Sequence, residues 1–102
     1  MALSKQYLKS KPVVKVTFRL PKEAAPDANV VALVGEFNNW NIQATPMEKL
    51  KNGGWRTTLE LEPGRDYQYR YLIDETTWEN DWEADKYMRS SFGNCDNSVV
   101  TT

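Results

Sequence analysis

Histidine is absent from this sequence of 102 residues, and cysteine occurs once, as Cys95. A zinc site built on His and Cys, a Ser-His-Asp triad and a Cys-His nucleophile are therefore excluded within one chain; no metal site and no cofactor is expected. An excess of charge of one sign is lacking too. The formal net charge of −1 with 26% charged residues leaves no basic footprint for a nucleic-acid backbone. Lys5, Lys9, Lys11 and Lys15 form the only basic cluster, of the kind that is usually a solvated arm. Long apolar runs are missing from the start: "MALSKQYLKSKP" holds no stretch suited to a signal peptide or membrane span. An unpaired cysteine suits a reducing compartment. The expectation is a cytoplasmic protein with neither nucleic acid nor a membrane as partner. There is no internal repeat and no low-complexity tract, and the length suffices for one domain with one modest core.

What is present is β patterning. "VVKVTFRL" puts Val14, Val16, Phe18 and Leu20 on one face and Lys15, Thr17 and Arg19 on the other, the period of two of a half-buried strand. "PKEAAPDA" breaks it, and "NVVALVG" follows as a continuous β-branched run ended by Gly35. After Gly53-Gly54 the alternation resumes with Trp55, Thr57, Leu59 and Leu61 facing one way, until Pro63-Gly64 closes it. "DYQYRYLID" aligns Tyr67, Tyr69, Tyr71 and Ile73 opposite Gln68, Arg70 and Leu72, and "SVVTT" supplies a last strand. The stretch "ETTWENDWEADKYMRSSFGNCDN" is polar and aromatic without clean periodicity; a short helix in "WENDWEADKYM" is the alternative to a loop there. Short strands with Gly/Pro punctuation predict an all-β, immunoglobulin-like sandwich over residues 13–102, preceded by an N-terminal arm over residues 1–12 that can dock on it.

Four tryptophans carry the strongest functional signal, because each ring needs a core or a partner. Trp55 opens an alternating strand on its apolar face and is expected in the core. Trp40, in "VGEFNNWN", and Trp78 each lie in a polar loop beyond a strand, where they either anchor the loop or are held out for a ligand. Phe37 can tuck back toward the core while the asparagines shape the loop. A tryptophan among amide and guanidinium groups suits sugars, whose C–H faces stack on indole while their hydroxyls need donors and acceptors. Nucleobases also stack on indole, but a basic groove should then follow the phosphates, and none is evident.

"VALVGEFNNWN", "PMEKLKNGGWRTTLELEPGRDYQYRYLID", the tryptophan after it and "FGNCDNSVV" together resemble carbohydrate-binding module family 48, the isoamylase N-terminal or early-set domain. The family includes the glycogen-binding domain of the AMP-activated protein kinase β-subunit and the N-terminal modules of branching and debranching enzymes of glycoside hydrolase family 13. The resemblance covers roughly residues 13–100 and implies an early-set β-sandwich that binds α-1,4-linked glucans, such as glycogen, starch and maltooligosaccharides, at a surface site. By motif, Trp40 and Trp78 match the stacking tryptophans and Arg70 a basic residue that hydrogen-bonds sugar hydroxyls. Phe92 matches an apolar support for the sugar, and Asn94 to Asn97 match a segment of polar contacts. Two departures stand out. Asp74-Glu75-Thr76-Thr77 replaces the Asp-Gly common before the second tryptophan, and Asp96 replaces the first of two asparagines.

Carboxylates are plentiful (Asp66, Asp74, Glu75, Glu79, Asp81, Glu83, Asp85), and a glycosidase needs only two at the right separation. Yet "ETTWENDWEAD" reads as a solvated loop, and a catalytic barrel takes more than ~200 residues. The expectation is a non-catalytic module whose partners are an α-glucan and a glucan-metabolising enzyme. The alternative is a non-binding structural or partner-docking domain beside a family 13 enzyme. Its apolar hint is Leu72 on the Arg70 side of the strand.

Overall fold

The computed structural model describes residues 3–89 and 96–102. Among these residues nine strands run in chain order: β1 (Leu3–Tyr7), β2 (Val14–Leu20), β3 (Val31–Gly35), β4 (Glu48–Lys49), β5 (Trp55–Leu61), β6 (Asp66–Ile73), β7 (Thr77–Glu79), β8 (Lys86–Arg89) and β9 (Asp96–Thr101). Three-residue 3₁₀ turns at Lys22–Ala24 and Glu36–Asn38 complete the regular structure among the described residues, and no helix there is long and apolar enough to cross a membrane. One sheet has the order β1-β2-β5-β4 and the other β3-β6-β9-β8, with β7 also on β6; all pairings are antiparallel.

The alternation in β2 does what its period dictates: Val14, Val16, Phe18 and Leu20 are buried and Lys15 and Arg19 are exposed. In β6 the tyrosine face turns inward, so Phe18 from one sheet meets Tyr69 from the other edge-to-face at 5.1 Å, and Tyr69 meets Tyr71 at 5.9 Å. Phe37 packs against this cluster, 5.6 Å from Phe18. With Val31, Leu33, Trp55, Leu61 and Val100 these residues form a continuous core between two sheets, the expected all-β sandwich. Each buried aliphatic or aromatic side chain contributes about 1.5–3 kcal/mol.

Two stretches hold more regular structure than their periodicity announces. The segment expected as an arm contains β1, paired with β2 from Leu3↔Phe18 to Tyr7↔Val14, and Leu3 joins the core. In "ETTWENDWEADKYM" the structure has two short strands and no helix, since β7 pairs with Tyr71–Ile73 and β8 with Asp96–Val99. Leu72 is a correction to its reading as an exposed docking hint. It is only 4% exposed, between Ala32 and Trp78 in register on the same face.

Candidate functional site

The loop after β3 is built by its asparagines. Asn38 accepts from the Gly35 N–H at 3.1 Å through Oδ1 and donates through Nδ2 to the Leu33 carbonyl and Thr45 Oγ1, both at 3.0 Å. Asn41 Oδ1 accepts from the Gln43 N–H at 2.9 Å. Gly35 is required for room and not for its dihedral: a Cβ there would lie 2.6 Å from the Gln68 carbonyl oxygen and 2.7 Å from Tyr69 Cβ. Asn39 and Trp40 both hold φ of 57°, and the Trp40 N–H donates to the Gly35 carbonyl at 2.8 Å. A bulky residue in that region costs about 1–2 kcal/mol, and such strain gathers at functional loops. The result is a Trp40 ring that is 38% exposed.

Trp78 is presented differently. Thr76 N–H donates to the Ile73 carbonyl at 3.1 Å across a turn whose central residues, Asp74 and Glu75, have φ of 51° and 63°. Two positive φ values are the signature of the tight hairpin turn that usually takes Asn-Gly or Asp-Gly. Here Asp74 is held in place by its carboxylate, which accepts from the N–H groups of Asn29 at 2.7 Å and Val30 at 3.0 Å. The turn therefore forms without glycine, and it sends β7 back along β6 with Trp78 opposite Leu72 and 45% exposed.

Register then assigns the outer face of the five-stranded sheet. Side chains directly opposite in antiparallel strands share a face, so Gln68, Arg70 and Leu72 of β6 lie with Ala32 and Val34 of β3, Trp78 of β7 and Asn97 and Val99 of β9. Val34, Leu72 and Val99 are buried yet stand outside the core cluster, and they floor this face. Arg70 donates through Nη2 to the Asp96 carbonyl at 3.1 Å, and its buried Nε has no partner among the described residues. Asn97 is almost wholly buried and donates through Nδ2 to Gln68 Oε1 at 2.9 Å. The arrangement offers an indole face, a guanidinium and two amides above an apolar floor. Phe92 and Asn94, the other two expected site residues, lie outside the described residues.

Sequence reasoning missed two polar residues just after β7, one bonded to β9 and the other turned toward the core. Asn80 bonds to Asp96 and Ser98. Asp81, read with its neighbours as part of a solvated loop, is buried: its carboxylate accepts from the hydroxyls of Tyr69 at 2.7 Å and Tyr71 at 3.2 Å and from the Glu83 N–H at 2.9 Å. Burial pushes the Asp81 carboxyl above its ordinary range, against the pull of the two tyrosine hydroxyls. No periodicity announces this, because the acid comes from an irregular segment and its partners from the far side of β6.

The profile of carbohydrate-binding module 48 (isoamylase N-terminal domain) matches residues 11–88. Relatives include the 1,4-alpha-glucan branching enzyme GlgB of Photobacterium profundum, 39% identical over 46 residues, which is 44% of this chain and 6% of that protein. A 1,4-alpha-glucan-branching enzyme of Aspergillus oryzae is 50% identical over 43 residues, 42% of this chain and 6% of the enzyme. The GlgB branching enzyme of Aquifex aeolicus is 37% identical over 59 residues, 56% of this chain and 9% of the enzyme. The shared segment is thus under a tenth of each of these relatives. With most of its length matched and two antiparallel sheets packed as an early-set, immunoglobulin-like sandwich, the chain belongs to the carbohydrate-binding module 48 (isoamylase N-terminal domain) family.

Proposed function

We propose that this domain is a non-catalytic binding module for α-1,4-linked glucans, with glycogen, starch and maltooligosaccharides as the substrate class. Trp40 and Trp78 are the stacking residues, and Arg70 and Asn97 the polar contacts at the sugar rim. The observation that carries the reading is the outer face of the five-stranded sheet, where an exposed Trp78, in register with Leu72, shares one face with Arg70, Gln68 and Asn97 over buried Val34, Leu72 and Val99. Stacking needs an accessible indole on a rigid support, and bidentate hydroxyl pairs need fixed donors and acceptors.

Two aromatic anchors at about 2 kcal/mol each give a dissociation constant on the order of 1 mM. Such weak binding becomes useful through long glucans or attachment to a larger glucan-metabolising enzyme. Titration with β-cyclodextrin, followed by tryptophan fluorescence, is expected to saturate in the low millimolar range for the wild type. Trp40→Ala and Trp78→Ala should each weaken it by more than tenfold, with Trp82→Ala, more exposed than either but not one of the proposed site residues, unchanged. Equal binding by all three variants would remove the proposed site, and absence of saturation in the wild type would remove the function.

A second reading is a packing domain beside a family 13 type catalytic domain. It is favoured by one observation, that the relatives matched are branching enzymes many times longer than the shared segment. The same titration separates the two, since a pure packing domain gives no saturable response.

A further inference from the structure

The edge of β6 away from β3 is shared by two strands. β9 pairs with it from Asp66 to Tyr69, and β7 from Tyr71 to Ile73. Arg70 sits at the junction, where neither ladder supplies a partner, and the ends of β7 and β9 meet there with backbone groups that need satisfying. Asn80, one residue beyond β7, supplies them. Its Oδ1 accepts from the Ser98 N–H at 3.0 Å and from Ser98 Oγ at 2.8 Å, while its Nδ2 donates to the Asp96 carbonyl at 2.8 Å. The Asp81 N–H adds a donation to Ser98 Oγ at 2.8 Å.

Both ends of the amide are used, one as acceptor and one as donor, as a missing rung of backbone would use them. The Asp96 carbonyl that receives Asn80 Nδ2 also receives Arg70 Nη2 at 3.1 Å. One acceptor therefore ties together the residue two places after Trp78, the guanidinium of Arg70 and the residue just before Asn97. We infer that Asn80 is a positioning residue of the glucan site, setting the spacing between the Trp78 ring, the Arg70 guanidinium and the Asn97 amide by locking β7 to β9. This rests on the glucan-binding reading above. The Asn80 amide is taken up by Ser98 and Asp96, so its part is to position and not to bind.

Asparagine is demanded by chemistry. Aspartate keeps the acceptor for Ser98 but loses the donor to Asp96 and sets a carboxylate against that carbonyl; alanine loses everything. The test measures β-cyclodextrin affinity for the wild type, Asn80→Ala, Asn80→Asp and Asn52→Ala. The last removes a comparable side-chain bond, Oδ1 to the Gly54 N–H at 2.8 Å, in a turn of the other sheet. Amide spectra report the Ser98 N–H in each variant. The expected result is a loss of fivefold or more in affinity for Asn80→Ala and a smaller loss for Asn80→Asp, which retains the Ser98 contact, with Asn52→Ala binding like the wild type. Wild-type affinity in Asn80→Ala despite a shifted Ser98 amide would overturn the inference alone. An equal loss in Asn52→Ala would also overturn it, by reducing the effect to general loosening. A wild type that binds no sugar removes the reading beneath the inference and the inference with it.

Discussion

A tryptophan brings a large apolar body and a single N–H, so its place in the pattern decides its fate. Trp55 alternates with Thr57 and Leu59, and it is buried at 4% exposure with the Lys49 ammonium 5.7 Å from its ring centroid. Trp40 and Trp78 sit where the pattern stops, and both rings reach solvent. The tyrosines behave alike at the level of sequence and differently in the fold. Tyr69 and Tyr71 are fully buried with hydroxyls on Asp81, and burial, with Asp81 close by, raises both phenols well above their usual range. A raised native value means that their contribution to stability is complete below the unfolded value near ~10 and is lost as pH rises above it. With two protons retained only by the native state, stability is expected to fall by about 2.7 kcal/mol per pH unit above that point. Urea unfolding at increasing pH measures it, and Tyr69→Phe should halve the slope; a flat response would contradict the buried pair. The alternation of β6 made the inward tyrosines legible. Asp81 was not legible, because a buried acid is recognised by the hydroxyls that reach it, and those lie ten and twelve residues away.

At the scale of elements, the hairpin between β6 and β7 decides how Trp78 is presented to solvent. Glu75 holds φ of 63°, a region that costs a side-chain-bearing residue about 1–2 kcal/mol and glycine almost nothing. Glu75→Gly is therefore expected to raise the unfolding free energy by about 0.5–1 kcal/mol, the backbone gain being partly offset by added freedom in the unfolded chain. Asp74→Ala is expected to lower it by about 1–2 kcal/mol, since two backbone N–H groups lose a charged acceptor. Paired denaturation curves check both, and a destabilised Glu75→Gly would show that this turn is not strained. The sequence made β2, β3, β5, β6 and β9 legible through period or β-branched runs. The two-, three- and four-residue strands β4, β7 and β8 are too short to express a period, and they exist because longer neighbours offer them an edge.

For the whole molecule, the sandwich is closed by its first strand. Leu3 enters the core, the Lys5 ammonium meets Asp85 at 2.6 Å across to the other sheet, and the Tyr7 hydroxyl donates to the Thr102 carbonyl at 2.8 Å. Apolar burial outweighs a partly exposed ion pair in such a contact. Leu3→Ala is expected to cost about 2–3 kcal/mol and Lys5→Ala less than about 1 kcal/mol; the reverse order in thermal or urea unfolding would assign closure to charge. Closure leaves two outer faces of unlike character. That of the four-stranded sheet is polar and internally paired, with Thr17 Oγ1 on Thr58 Oγ1 at 3.0 Å and Arg19 on Ser4 at 2.7 Å, and that of the five-stranded sheet carries Trp78, Arg70 and Asn97 over an apolar floor. Amide chemical shifts during a maltoheptaose titration compare the two faces directly. Glucan binding predicts saturable shifts at Gln68, Arg70, Trp78 and Asn97 and at the Trp40 and Trp78 indoles, with Thr17, Thr58 and the Trp55 indole unmoved. Shifts confined to the Thr17–Thr58 face, or none at several millimolar sugar, would contradict it.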